Sequence, residues 1–348
     1  MFLDHFGLRE QPFGVTPDPR FLYLSPSHLE ALASLYYGIE TRRGFMALIA
    51  KPGMGKTTLL FHLLETLRDS ARTAFLMQTQ CDSHGFLRSL MADLGISDRE
   101  DDVVAMKSQL NRVLLREFRA GRRFVVVIDE AQNLEDSVLE TVRMLSNFEI
   151  PQAKLIQILL AGQPQLADKL ASANLVQLRQ RISIFSRLTQ FTSAETRKYI
   201  SHRLQAAGYS GKSLFTPEAL AIIDSQSEGI PRNINNLCFH ALTLSFANGQ
   251  KAIDASIVEE VLVDLDVELL DSGMGVKQRT SGDSLRVDSA STSSTSQARG
   301  NRSIFAPVSL PASEWTTTVF RPTAPRPMER RQVSVAERGQ VSVAERWF

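Results

Sequence analysis

Short apolar runs alternate with segments of helical periodicity through the first half of the chain. FMALIA (45–50), TAFLMQT (73–79), FVVVID (124–129), LIQILLAG (155–162) and ISIFSRLTQF (182–191) read as strands. FVVVI is almost uniformly apolar, as a strand covered on both faces must be, and suits the centre of a parallel sheet. Five strands with helices between them predict an α/β fold whose parallel sheet is sandwiched by helices. After Thr192 the strand signal stops. Thr192 or Ser193 caps a helix near 195–207, Thr216 caps another with Pro217 at its first position, and a third follows Pro231, so a small helical domain is expected to about residue 270.

Beyond Leu270 the pattern is lost. SASTSSTSQ (289–297) and RPTAPRP (321–327) bury almost nothing, which predicts a disordered tail. QVSVAER occurs twice, at 332–338 and 340–346, in a unit too short for a solenoid repeat. Trp347 and Phe348 read as a frayed terminus or a short recognition handle. The expected organisation is an α/β domain over 1–192, a helical domain over 193–270 and a tail over 271–348.

Charge and cysteine narrow the class. The chain has 39 Lys+Arg and 38 Asp+Glu; the tail holds 11 and 7 of these, leaving a net −3 for the rest. That counts against nonspecific nucleic-acid binding over the whole surface, though not against a local patch. Cys81 and Cys238 fall in separate elements without ligand spacing, so no disulfide framework or zinc site is expected. The start carries Asp4 and Glu10 and no long apolar core, and no run reaches the roughly 18 apolar residues of a membrane span. The expected location is cytoplasmic. His62 and His84 sit in helical patterns as packing or surface residues.

The chemistry begins at IAKPGMGKTTLL (49–60), which follows a strand and opens a helix. It is a GxxxxGK[ST] loop with Ala50 in place of the first glycine, where the chain leaves the strand and a methyl adds little bulk. In such a loop, backbone N–H groups and a helix N-terminus point at phosphates, a lysine adds charge and a hydroxyl ligates magnesium. Pro52, Gly53, Met54, Gly55, Lys56, Thr57 and Thr58 form the cradle, with Lys56 on phosphate and Thr57 on the metal. In FVVVIDEAQNL, Asp129 and Glu130 end the apolar strand, where Asp129 holds the magnesium shell and Glu130 polarises an attacking water; their alternative is to cap the helix after Glu135. Gln163 follows LIQILLAG, within reach of a γ phosphate or the water, or serves only the GQP turn. These motifs predict a magnesium-dependent ATPase, with ATP and Mg2+ as ligands; a protein that binds ATP but scarcely hydrolyses it is the other reading. PFGVTPDPRFLYLSP is a proline-rich strap, expected either to wall off adenine with Phe21 to Ser25 or simply to cover core.

Taken in order, FGLREQPFGVTPDPRFLYLSPSHLEAL, AKPGMGKTT, VVVIDEAQNL, LLAGQPQL, LRQRI and EGIPRNINNLC resemble AAA+ ATPases of the ExeA type, over about residues 1–270. That group includes ATPases of secretion, pilus and exopolysaccharide gene clusters and is related to TniB-like ATPases. The resemblance implies a P-loop NTPase three-layer sandwich with a helical lid, working as a homo-oligomer. It implies that Arg232 of GIPRNIN touches nucleotide as the lid arginine, with a capping role after Pro231 as the alternative. It also implies that an arginine of LVQLRQRI reaches the γ phosphate of a neighbouring protomer. Arg181 is the first choice for that finger and Arg179 the second, an intramolecular ion pair being the alternative. The secretion protein of this type continues into a membrane span and a peptidoglycan-binding domain, which the tail does not resemble. Partners are expected among the proteins of a secretion, exopolysaccharide-export or pilus machine. The rival reading is a TniB-like transposition helper that binds DNA or recruits a transposase, against which stands the absence of a helix-turn-helix or basic stripe.

Overall fold

The computed structural model describes residues 2–77, 81–96 and 102–271, with backbone only for 266–271. From residue 272 the expected tail, its duplication and the terminal Trp347 and Phe348 lie outside the described residues.

Among the described residues seven strands form, β1 (Phe45–Ile49), β2 (Ala71–Leu76), β3 (Arg123–Ile128), β4 (Glu149–Ile150), β5 (Ala153–Lys154), β6 (Gln157–Gly162) and β7 (Ile182–Arg187). β4 and β5 make a two-residue hairpin, too short to leave an apolar run in the sequence. The other five form one sheet in the order β2-β3-β6-β1-β7, every pair parallel. The predicted strands are all present with shifted ends, residues 78 and 79 of the second lying outside the described residues. Leu155 and Ile156 are buried but precede the ladder of β6, and residues after Arg187 leave the sheet for the helical region. β1 and β6 are buried at every position and β3 at all but its first, whereas β2 and β7, the sheet edges, are partly exposed.

Helices cover both faces. One face packs the helices Ser83–Asp93, Val103–Arg119, Asp136–Leu145 and Pro164–Ala171 around Phe124, Val126, Ile128 and Ile158. The other packs Pro26–Glu40 and Lys56–Thr66 around Met46, Leu48, Val125 and Leu159. Because β1 lies beside β6, itself beside β3, and all run the same way, the loops leaving their C-terminal ends open side by side on one edge.

A third core joins the helices Ser193–Ala206, Pro217–Ser227, Pro231–Ala247 and Ala255–Asp271, one more than the three expected, with the start of the chain. Thr192 caps the first of them with a full capping box: its side chain accepts from Glu195 N–H, and the Glu195 carboxylate accepts from Thr192 N–H at 2.8 Å. The proline-rich strap buries Phe13 and Phe21 in this core. Arg203, itself buried, holds the strap by donating to the Pro12 carbonyl and lies 4.8 Å from the Phe21 ring centroid. Phe21 thus packs as a core residue of the helical region.

Candidate active site

β1 feeds the phosphate loop directly. Ala50 is buried in the core beside the sheet and donates its N–H to the Gly162 carbonyl at 3.0 Å, so the missing first glycine is a packed methyl. Gly53 and Gly55 hold φ of 80° and 82°, the left-handed region that glycine enters without strain. Gly55 is the N-cap of Lys56–Thr66 and supplies no capping side chain, which leaves the first N–H groups of that helix open to an anion. Met54 turns its side chain down into the core, so its part in the cradle is backbone. Pro52 is exposed, and Thr57 and Thr58 are half-buried at the helix start.

The carboxylates of the second motif meet this loop. Lys56 is buried and its Nζ bonds Asp129 and, at 2.8 Å, Glu130 Oε1. Thr57 Oγ1 donates to Asp129 Oδ2 at 2.7 Å. The hydroxyl and carboxylate oxygens of these two residues are the hard donors that magnesium takes, and they stand at the foot of the phosphate cradle. Glu135 sits at the N-cap of Asp136–Leu145 without a side-chain capping bond, and Asp129 and Glu130 point to Lys56, so neither caps that helix.

Glu130 is held with unusual completeness. Its backbone is left-handed (φ 51°), a conformation that costs a non-glycine residue energy and clusters at functional sites. Its Oε2 accepts from Gln132 Nε2 at 2.6 Å and from Gln163 Nε2 at 3.0 Å. Burial pushes its carboxyl up, but the donors from Lys56, Gln132 and Gln163 outweigh burial and hold it below the usual carboxylate range. Gln163 therefore meets Glu130 in addition to standing at the strand tip. Gln132, absent from the sequence expectations, ties the two together, since its Oε1 accepts from Gln163 N–H at 3.1 Å. A Cβ on Gly162 would stand 2.6 Å from that oxygen, so the glycine makes the room. The signal for Gln132 was present in DEAQ, but an amide two residues past a strand end has no distinctive chemistry.

The loop is also gripped from both sides. His28, buried, bonds the Met54 carbonyl through Nε2 at 2.9 Å and Ser25 Oγ through Nδ1 at 2.7 Å. Burial pushes the His28 pKa below its usual 6.5 against the raising effect of the Met54 carbonyl, so the neutral ring is the stable form. Nothing in PSHLEAL distinguishes this histidine from a packing residue. On the other side, Arg232 N–H donates to the Gly53 carbonyl at 3.1 Å, and a Cβ on Gly53 would stand 2.7 Å from Arg232 Cβ. The helical region thus touches the phosphate loop at the predicted arginine, which is exposed.

The two finger candidates differ. Arg181 Nη1 donates to the Arg143 carbonyl at 3.1 Å and to Asn147 Oδ1 at 2.7 Å, and also bonds Ser146 Oγ, which fastens it to the end of Asp136–Leu145. Arg179, two residues earlier in the same helix, is exposed.

Residues 39–170 match the AAA domain family. General secretion pathway protein A of Aeromonas hydrophila is 37% identical over 254 residues, 73% of this chain and 46% of that protein, so the chain spans about half of that relative's length. Among solved structures, the ORC2 protein of Aeropyrum pernix in its ADPNP-ADP complexes superposes with a TM-score of 0.57 at 16% identity, covering 76% of this chain and 79% of that one. Cdc6p from Pyrobaculum aerophilum gives 0.52 at 18% identity, covering 68% of each chain. At those identities the likeness is one of fold. Sheet order, phosphate loop and the AAA domain matched over residues 39–170 together show an AAA+ P-loop NTPase fold, in a chain similar over 73% of its length to a general secretion pathway protein A.

Proposed function

We propose that this protein is a magnesium-dependent ATPase that works as an oligomeric switch. The observation that carries the reading is the convergence of Lys56, Thr57, Asp129, Glu130 and Gln163 beside an uncapped helix start. The loop N–H groups and the helix N-terminus take the β and γ phosphates. Lys56 exchanges its two carboxylate partners for phosphate oxygens. Thr57 and Asp129 would hold magnesium, which supplies neutralisation of the charge that builds on the phosphate oxygens. The departure of Lys56 bares Oε1 of Glu130 while Gln132 and Gln163 keep Oε2, so Oε1 is the atom that takes the proton of the attacking water. Arg232, bonded through its backbone to Gly53, reports loop occupancy to the helical region, which acts as the lid over residues 193–270.

The exposed Arg179 is the better candidate for a finger into a neighbouring protomer, because Arg181 is already bound within its own chain. From the name of the similar protein we carry over a role in a secretion pathway, and from the motif resemblance the wider choice of an envelope secretion, exopolysaccharide-export or pilus system, served from the cytoplasmic side. Among the described residues no helix is long and apolar enough to cross a membrane.

Paired substitutions test the ATPase. Lys56→Ala should lose tight ATP binding, whereas Glu130→Gln should keep it and lose turnover by about 100-fold or more, because the shape stays and the base goes. Equal loss of binding in both variants removes Glu130 from its role. A wild-type protein without turnover at any concentration that allows assembly overturns the ATPase reading itself.

A further inference from the structure

At the sheet edge opposite the phosphate loop, three stretches distant in sequence meet. The strands are parallel, so the N-terminal ends of β1, β2 and β3 all open there, with the C-terminal ends of the helices Pro26–Glu40, Lys56–Thr66 and Val103–Arg119. Contacts knit them together. Arg123 pairs with Glu40, its N–H donates to the Ser70 carbonyl at 3.1 Å, and Arg42 lies over the Phe118 ring at 4.7 Å from its centroid. Buried Glu117 accepts from Arg72 at 3.2 Å and from Arg122 at 2.6 Å. Residues 40–43, 65–72 and 116–123 contain eight arginines, no lysine and four carboxylates, a net +4. The chain to residue 270 as a whole is net −3.

Ordinary structural demand accounts for part of this charge. Three helix C-termini place about −0.5 each at this edge, roughly −1.5 in all, and cations there are favourable. More than half of the net charge remains after that. Arg43, Arg68 and Arg119 are exposed and, among the described residues, enter none of the ion pairs that hold the edge together. Arg42 is half-buried in a left-handed turn (φ 54°), where burial and then Arg123 lower its pKa while Glu40 raises it.

The composition selects the partner. Guanidinium forks bind phosphate oxygens in pairs, which lysines do not, and this edge has arginines alone. None of the large exposed hydrophobic side chains lies in the three stretches, so the edge has nothing to insert into a lipid layer. We propose that this arginine edge binds the phosphate backbone of duplex DNA, without reading base sequence, on the side of the molecule opposite ATP. About four arginines are free for phosphates, so log K against log salt concentration should fall with a slope of about −3 to −4.

The test is fluorescence anisotropy of the full chain with a short random-sequence duplex over a salt series. Wild type should bind with that slope. A triple variant, Arg43→Ala with Arg68→Ala and Arg119→Ala, should lose at least about tenfold in affinity at low salt, and its slope should be shallower by about 3. ATP binding by the variant should equal wild type and shows that it is folded. The idea fails if wild type does not bind at low salt. It also fails if the triple variant binds DNA as wild type does, which would place the contact elsewhere, such as on the arginines after residue 271. Vesicles containing phosphatidylglycerol are the third arm: binding to them that exceeds binding to DNA and is lost in the variant would make the partner a lipid surface. Wild type that binds DNA but does not hydrolyse ATP would leave this proposal standing and overturn the ATPase reading.

Discussion

Lys56 spends the state described here between Asp129 and Glu130, one buried cation shared by two carboxylates, which leaves the cluster a net −1. That arrangement resolves a local problem, since an unpaired buried charge is costly, and it also means that nucleotide must compete for the lysine. Beneath the same loop, burial favours the neutral ring of His28, which bonds the Met54 carbonyl and Ser25 Oγ. Its folded pKa lies below 6.5, as does that of His202, also through burial. As pH falls through 6.5 the unfolded chain takes up these protons before the folded one does. The stability that neutral His28 and His202 contribute is therefore present above 6.5 and lost below it. Denaturant unfolding on both sides of that pH should show the decline, and His28→Gln should flatten it; a His28→Gln protein with the wild-type pH dependence would show that His28 is not a source.

In the proposed mechanism, coupling between nucleotide and lid rests on single elements. The turn EGIPR joins the helices Pro217–Ser227 and Pro231–Ala247 and leads straight to Arg232. Gly229 sits at φ 65°, its carbonyl accepts from Phe191 N–H at 2.9 Å, and a Cβ added to it would stand 2.2 Å from the Phe191 carbonyl oxygen. Gly229→Ala should therefore force the turn away from Phe191, cost at least about 1–2 kcal/mol of stability and weaken ATP binding by displacing Arg232 from Gly53. Calorimetry of nucleotide binding, beside a melt, checks both effects. An unchanged affinity in a destabilised but folded variant would show that the turn supports the helical region without informing the loop.

At the scale of the molecule the question is whether one chain suffices. If Arg179 acts across an interface, Arg179→Ala should bind ATP, assemble and lose most turnover, while Arg181→Ala should lose stability by about 1–3 kcal/mol through the helix end it holds. Mixing Arg179→Ala with Lys56→Ala should restore activity, because some interfaces then combine an intact phosphate loop with an intact finger. No recovery in crosslinked mixed oligomers would favour a switch that works within one protomer. The proposed division of labour is spatial: nucleotide at the C-terminal edge of the sheet, DNA phosphates at the other.

The sequence by itself determined those features whose chemistry is local. A strand, a glycine loop and a lysine at fixed spacing point to a phosphate cradle, and an acidic pair after an apolar strand is expected near it, so the meeting of Lys56, Thr57, Asp129 and Glu130 was legible in the sequence. The burial of β3 from Phe124 to Ile128 was written in FVVVI for the same reason. Tertiary structure decided what depends on residues meeting across the chain. Gln132 and His28 are ordinary residues until the order β2-β3-β6-β1-β7 and the packing of Pro26–Glu40 bring them to Glu130 and Met54. Arg181, favoured over Arg179 by its place before a strand, proves to have three acceptors on a helix end 34 to 38 residues earlier, which no spacing reveals. The arginine edge forms no basic stripe in the sequence because its members come from three separate stretches. They share a surface only because parallel strands deliver all their N-terminal ends to one side of a sheet.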